Sequence, residues 1–467
     1  MKSSLVISFW TAIGALFIYP ILVYSPHFTA TDIGSWGLDW TKFRQCRQLG
    51  FDKCVPLEIS MFPMGYLLNS YFLYLLKGID QKQVLLLINL VFLLLPIFFI
   101  SLTRGYVYSF RACCIYFLAI LTTALPAFYI YSGALEFQSG VIIGIFISSC
   151  ILILKNRGHK KWIIFFLLSS AFLFPTYKET NIPLIFLDFF LCFISIYLFN
   201  RFNLKLFSRL NIEFNSSAKI IFLWGIAVIA LSFAMGLIYN YIKFNSIQPI
   251  HYIYVASQTS PSLIKSLQFL MITYISPNGG IIVFWSASFF FSLFALRIFK
   301  LKVSKLGLLV SGLLIFLSSV GLSLWWTPFG WNSWGDRLII PAMVSAIICM
   351  ASTARMNLSS DKIVSPQQFN GFKLEFSKPR NLFSTYLWIA LLVPILLSIH
   401  YTLISYYSNR EKLMEKSLFP LNQCNQMLED LRTTGSVIGQ AFWRTQSYYK
   451  CADERFWFFP SYIKPDK

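Results

Sequence analysis

Residues 83–101, QVLLLINLVFLLLPIFFIS, run for 19 residues without a charged side chain, and stretches of this kind decide the fold. A transmembrane helix needs roughly 20 mostly apolar residues, because the hydrocarbon core of a bilayer is about 30 Å thick. Lipid offers the backbone no hydrogen-bond partner, so a continuous apolar run of this length is expected to be helical. A transmembrane barrel would show shorter segments of alternating polarity instead.

Similar runs recur along the chain, and they predict an all-α polytopic membrane protein with about eleven transmembrane helices. The composition agrees, since 57% of the 467 residues are hydrophobic and 12% are charged, against about 25% charged residues in soluble domains. The predicted spans cover residues 5–24, 83–101, 112–131, 137–154, 162–176, 181–199, 219–241, 281–299, 306–326, 338–353 and 383–405.

The distribution of Lys and Arg predicts the orientation, because these residues accumulate in cytoplasmic loops. With the N-terminus in the cytoplasm, the cytoplasmic segments hold 20 of the 39 Lys and Arg residues and three acids, whereas the other side holds 19 and 15. Most of the net charge of +20 is therefore an orientation signal, and nucleic acid is not an expected partner. We expect an integral protein of a bacterial cytoplasmic membrane, with its C-terminus outside.

In this arrangement residues 1–405 form a transmembrane domain and residues 406–467 a small extracytoplasmic tail. The first extracytoplasmic loop covers residues 25–82, and another lies near residues 242–280. Residues 61–76 are apolar enough to span, but a span here would invert every later loop, so we expect a helix at the membrane interface.

Four cysteines lie on the predicted outer side, where disulfides persist. We expect the pairs Cys46–Cys54 and Cys424–Cys451, with free thiols as the alternative. The cysteines inside the spans are expected to be packing residues.

Several enzyme signatures are absent from the sequence. It contains no phosphate-binding P-loop, no G-x-G-x-x-G and no G-x-S-x-G, and its four histidines show no metal-ligand spacing, which argues against a zinc site. Gly140 and Gly144 form a G-x-x-x-G pattern that is typical of a helix-packing face.

Charged residues near a membrane are costly and are functional candidates for that reason. Asp32 and Asp39 follow the first span, and Asp39 is seven positions after Asp32, so both would share one face of a helix. One of them could act as a general base. A helix N-cap at Asp32 and a solvated position for Asp39 are the alternative.

Three further stretches lie on the same predicted side. Glu136 occupies the short turn before the fourth span, where it could orient a substrate or favour the helix dipole. Lys178 and Glu179 stand at the tip of a predicted hairpin, and Lys178 could bind phosphate or extend along the membrane surface. The stretch WNSWGDRLIIP contains three more candidates, Trp334, Asp336 and Arg337.

Arg337 could bind phosphate oxygens through its planar guanidinium, or it could form a structural pair with Asp336. Trp334 could stack on a sugar ring or belong to the aromatic belt at the membrane surface.

Together these stretches resemble the GT-C superfamily of membrane glycosyltransferases, and in particular its protein-mannosyltransferase-like members that use polyprenyl-phosphate sugars. The similarity lies in Asp32 with Trp36 and Asp39, in MFPMGYLLNSYF, in ALEF with Glu136, in PTYKETNIPLIFL with Lys178, and in WNSWGDRLIIP with Arg337. In two places the sequence departs from the family pattern. Asp32 is followed by Ile33 rather than by a second acid, and Asp336 precedes Arg337.

The resemblance implies that a lipid-linked sugar donor reacts with an acceptor hydroxyl of a glycan, lipid or protein at the outer face, with inversion. Asp32 or Asp39 would be the catalytic base, and Lys178 and Arg337 would bind the donor phosphate. Glu136, Glu179, Asp336 and Trp334 would orient the substrates. No cofactor is implied with certainty, and a divalent cation is left open. The alternatives are a polysaccharide ligase or polymerase, and a non-enzymatic glycolipid flippase or transporter.

Overall fold

The computed structural model describes residues 65, 69, 71, 72, 75, 76 and 78, and the segments 81–121, 135–177, 216–244, 263–275, 280–299, 301–302, 304–325 and 337–356. Within these residues the chain is helical apart from short turns and one two-stranded ladder. The helices are α1 (Gln81–Thr103), α2 (Tyr106–Leu121), α3 (Glu136–Leu154), α4 (Lys160–Tyr177), α5 (Ser216–Phe244), α6 (Leu263–Ile275), α7 (Ile281–Ile298), α8 (Lys305–Trp325) and α9 (Ile340–Thr353). A 3-10 turn, Arg337–Ile339, precedes α9, and strand β1 (Leu301–Lys302) pairs antiparallel with β2 (Arg355–Met356).

Among the described residues, α3, α5 and α8 are long and apolar enough to cross a membrane. The helical character predicted for eight spans is confirmed at least in part, although α2 begins six residues before the predicted span 112–131. The predicted spans 5–24, 181–199 and 383–405, and the tail, lie outside the described residues.

The described parts of the basic loops predicted for one side of the membrane lie on one face of the bundle, which we call the basic face. The His159 amide donates to the carbonyl of Thr103 at 2.9 Å, so the α3–α4 turn contacts the α1–α2 turn. The ladder of β1 and β2 joins the turn after α7 to the end of α9. That these loops share a face is as predicted, while its assignment to the cytoplasm stays a prediction.

Several cations of the basic face donate hydrogen bonds to carbonyl groups at or just beyond helix C-termini. The Arg104 guanidinium donates to the carbonyl of Ala354 at 3.2 Å and lies 4.0 Å from the centre of the Tyr108 ring. Arg111 donates to the carbonyl of Phe299 at 3.0 Å, just beyond α7. Carbonyls at a helix C-terminus lack partners within the helix, and cations there favour its dipole. Burial lowers the pKa of Arg104, and Tyr108 partly opposes that shift.

The connection predicted near residues 242–280 contains a helix that the sequence did not predict, since α6 occupies thirteen of its residues and packs against α8 and α7. At 1.5 Å per residue α6 is about 20 Å long, too short to cross the hydrocarbon core. Its sequence, LIKSLQFLMITYI, is likewise too short to be predicted as a span.

The core of the bundle forms around α3, which packs against α9, α4 and α1. Gly140 and Gly144 make the close contact with α9 that their spacing predicted. A Cβ atom at Gly140 would stand 2.8 Å from the Cβ of Val344, and one at Gly144 would stand 3.0 Å from the Cα of Ser345. Small residues thus bring the two helix backbones together.

The turn after α3 depends on another glycine. Gly158 has a φ angle of +86°, in the left-handed region, and a Cβ there would stand 2.4 Å from the carbonyl oxygen of Thr103. A side chain is therefore excluded both by the backbone conformation and by the neighbouring turn.

Candidate functional site

Buried polar side chains gather at the end of the bundle opposite the basic face. Asn69, Asn89, Gln138 and Tyr177, which we call the amide cluster, are all buried. Asn89 belongs to α1, Gln138 to α3 and Tyr177 to α4, while Asn69 is a helical residue of the segment before α1. The cluster therefore joins four parts of the chain that are distant in sequence.

Gln138 is the centre of the amide cluster. Its Nε2 donates to Oδ1 of Asn89 at 2.7 Å, and its Oε1 accepts from Nδ2 of Asn69 at 3.3 Å. The hydroxyl of Tyr177 donates to the same Oε1. An unmet hydrogen-bonding group inside an apolar bundle costs about 1–3 kcal/mol, so these bonds make each member depend on the others.

The helical residues between 65 and 76 pack against this end of the bundle. A Cβ atom at Gly65 would stand 2.7 Å from the carbonyl oxygen of Tyr177 and 2.9 Å from Cδ1 of Leu135. Asn69 is buried on the same side, whereas Phe72 and Leu75 are exposed. The predicted helix at residues 61–76 is thus confirmed for its described residues, and its position at a membrane interface stays a prediction.

Glu136 is the first residue of α3 and is 1% exposed. It is also the sole acidic residue in the described part of the chain. Its position at a helix N-terminus favours a negative charge, as the alternative interpretation of this residue predicted. Burial of a charged carboxylate costs free energy unless cations or hydrogen-bond donors offset that cost. The helix dipole alone is therefore not expected to offset the cost of burying Glu136.

The packing of α3 on α9 defines which positions are level with Glu136. Gly140 faces Pro341 and Gly144 faces Ser345, so the two helices run parallel with a constant offset of 201 residues. One turn earlier, this offset makes position 136 level with position 337. The backbone at Arg337 belongs to the turn that starts α9. Two sequence motifs separated by 200 residues therefore reach the same level of the bundle.

The other predicted site residues lie outside the described part of the chain. They are Asp32, Asp39, Lys178, Glu179, Trp334 and Asp336, together with the cysteines Cys46, Cys54, Cys424 and Cys451. Lys178 directly follows Tyr177 of the amide cluster in the sequence. Cys113, Cys150 and Cys349 are buried in the bundle, as expected of packing cysteines.

Sequence reasoning missed the whole amide cluster. Asn89 and Gln138 are amides inside or at the edge of predicted spans, and side chains of this type commonly bond across membrane helices. That signal could have identified these two residues, but neither their pairing nor the contribution of Tyr177 follows from spacing along the chain.

Among the described residues, no group of His, Cys, Asp or Glu side chains is arranged to hold a metal ion. No protein-family model, curated protein or solved structure matches the chain.

Proposed function

We propose that the protein is an inverting membrane glycosyltransferase that moves a sugar from a polyprenyl-phosphate donor to an acceptor hydroxyl. The acceptor oxygen would form a bond to the anomeric carbon as the bond from that carbon to the phosphate oxygen breaks. The acceptor proton would pass to the carboxylate of Asp32, or of Asp39, and the polyprenyl phosphate would leave with the bonding electron pair. Phosphate is a good leaving group, so no strong general acid is required.

The electrostatic demand of this reaction falls on the departing phosphate, where negative charge develops. Arg337 and Lys178 would stabilise that charge. Glu136, Glu179, Asp336 and Trp334 would orient the sugar or the acceptor. With the donor chain among the helices, all of these groups would act at the membrane surface opposite the basic face.

The proposal is supported most by the level position of Glu136 and Arg337 beside the amide cluster. The buried amides and the buried carboxylate of Glu136 lie at one end of the bundle, and that is the end at which the resemblance puts the reaction. A flippase would need a polar path between the two faces. Within the described residues, the middle of α3 packs mostly against apolar side chains, and the buried polar side chains there are uncharged serines such as Ser148, Ser149 and Ser345.

The first experiment tests the catalytic base with the variant Asp32→Asn in the full-length protein. The protein is reconstituted with radiolabelled polyprenyl-phosphate hexoses and pentoses as donors. A membrane extract supplies the acceptors. A general base contributes about 10²–10⁴-fold, so we expect turnover to fall in that range. Asp52→Asn, another first-loop acid, is the matched control. Near-normal turnover of the Asp32 variant would remove this residue as the base and make Asp39→Asn the deciding variant.

The second experiment tests the phosphate-binding role with Arg337→Ala. A charge-assisted hydrogen bond contributes about 1.5–3 kcal/mol, so donor affinity should fall by roughly 10–100-fold. Arg355→Ala, on the basic face, is the control and should bind donor normally. Binding of the radiolabelled donor in detergent gives the measurement, and unchanged affinity in a correctly folded Arg337 variant would exclude the residue from the site.

A further inference from the structure

A second surface, at the basic face, is independent of the reaction proposed above. Lys160 and Lys161 begin α4, Lys219 lies in the first turn of α5, and all three side chains are exposed. The two helices pack directly on each other. We call these three residues the lysine patch.

The contacts between α4 and α5 bring the three lysines to one level. A Cβ atom at Gly225 would stand 3.9 Å from Cδ2 of Leu167, and Oγ of Ser232 donates to the carbonyl of Phe172 at 2.5 Å. The helices therefore run parallel, and a residue on α4 is level with the residue 58–60 positions later on α5. Lys161 is accordingly level with positions 219–221.

Exposed apolar side chains continue directly from the lysine patch toward the middle of the bundle. On α4 these are Trp162 and Phe165, 43% and 56% exposed, whose rings meet edge to face at a centroid distance of 6.1 Å. On α5 they are Leu223 and Trp224, 64% and 62% exposed. Tryptophan concentrates at the level of lipid headgroups. The surface thus changes from cationic to apolar, in the order in which a lipid changes from its phosphate headgroup to its acyl chains.

We propose that the exposed face of α4 and α5 binds an anionic glycerophospholipid, whose phosphate lies at the lysine patch and whose acyl chains lie along Phe165 and Leu223. Charge complementarity selects the headgroup, because cations at a membrane surface attract anionic lipids. The uninterrupted exposed apolar surface beneath the lysines favours a lipid over a soluble phosphate compound, which would leave that surface without a partner. The proposal requires the helices to be in a membrane, and it does not depend on the catalytic activity.

The test uses the full-length protein in nanodiscs of phosphatidylcholine with a minor fraction of phosphatidylglycerol. Native mass spectrometry counts the phosphatidylglycerol molecules that remain bound after release from the disc. The test variant combines Lys160→Gln, Lys161→Gln and Lys219→Gln. The matched control combines Lys302→Gln and Lys305→Gln, which remove two other exposed lysines of the basic face.

Each basic residue near an anionic membrane surface changes binding by roughly five-fold. We expect the test variant to lose its preference for phosphatidylglycerol, and the control to keep most of it. Replacement of the three lysines by arginine should preserve the preference, and higher salt should weaken it in the unmodified protein.

Three outcomes would overturn the proposal. One is equal retention of phosphatidylglycerol by the test variant and the unmodified protein, with both monodisperse. Another is displacement of the lipid by millimolar inorganic phosphate, which would identify a phosphate site instead. The third is a stable dimer that carries no lipid and separates when Trp162 and Trp224 are changed to serine, since a second copy would then occupy this face.

Discussion

Helices α3 and α5 look alike in sequence and differ in their surroundings. Both contain an apolar stretch long enough to cross a membrane. In α3, 94% of the residues in that stretch are buried in the protein, whereas in α5 the share is 17%. The first helix is surrounded by α9, α4 and α1, while the second packs mainly against α4. Apolar character therefore indicates removal from water, but it does not distinguish burial in protein from contact with lipid.

The largest expected difference in stability is between substitutions of one isoleucine in each helix. Ile143 of α3 is fully buried, and Ile220 of α5 is 56% exposed. Ile143→Ala should lower the free energy of unfolding by about 2–5 kcal/mol, because it leaves a cavity in a packed core. Ile220→Ala should change it by less than about 0.5 kcal/mol. Unfolding by sodium dodecyl sulfate in mixed micelles measures both, and equal effects would contradict the contrast in burial.

A second comparison, between one glycine in α3 and one in α5, is expected to show an effect of intermediate size on stability. Gly140→Ala in α3 would put a methyl group against Val344 and the backbone of Pro341, which should cost about 1–3 kcal/mol through overpacking. At Gly225 of α5 the nearest group is at ordinary van der Waals distance. Gly225→Ala should therefore be neutral, or more stable by up to about 1 kcal/mol, because alanine favours the helix. The same unfolding measurement applies, and a stable Gly140 variant would mean that α3 and α9 can separate at little cost.

The smallest expected effect concerns two tyrosines. Tyr177→Phe removes the hydroxyl that donates to Gln138 and should cost about 1 kcal/mol, whereas Tyr241→Phe on the exposed side of α5 should be silent. If the amide cluster also supports the proposed site, Tyr177→Phe should reduce glycosyl transfer while the Tyr241 variant retains it. Loss of stability without loss of transfer would assign the cluster a structural role alone.

Much of the architecture could be predicted from local sequence. Apolar runs predicted eight of the nine described helices, seven of them to within three residues at each end, since length and hydrophobicity are properties of a single segment. The G-x-x-x-G pattern predicted the packing face of α3 for the same reason. Helix α6 was missed because a thirteen-residue apolar segment does not reveal whether it is a helix or part of a loop.

The sequence predicted that charged residues near the membrane surface are candidates for the site, but it did not predict the full set of residues that meet there. Glu136 and Arg337 were selected because charges are costly near lipid, and that argument applies to each residue by itself. Their common level depends on the offset between α3 and α9, which the contacts of two glycines establish. Asn69, Asn89 and Tyr177 were not predicted, because a hydrogen bond between distant segments produces no periodic pattern in the sequence of either segment.

The sequence by itself determined that the chain forms long apolar helices, and the alternation of basic loops determined that they cross the bundle in opposite directions. These properties depend on transfer of single segments from water and on charge counted loop by loop. Only the tertiary structure decided which helix lies in the core, which polar groups meet at the end opposite the basic face, and which lysines share a level on its surface. Those outcomes depend on how side chains of different helices fit together, and that fit is a property of pairs of segments.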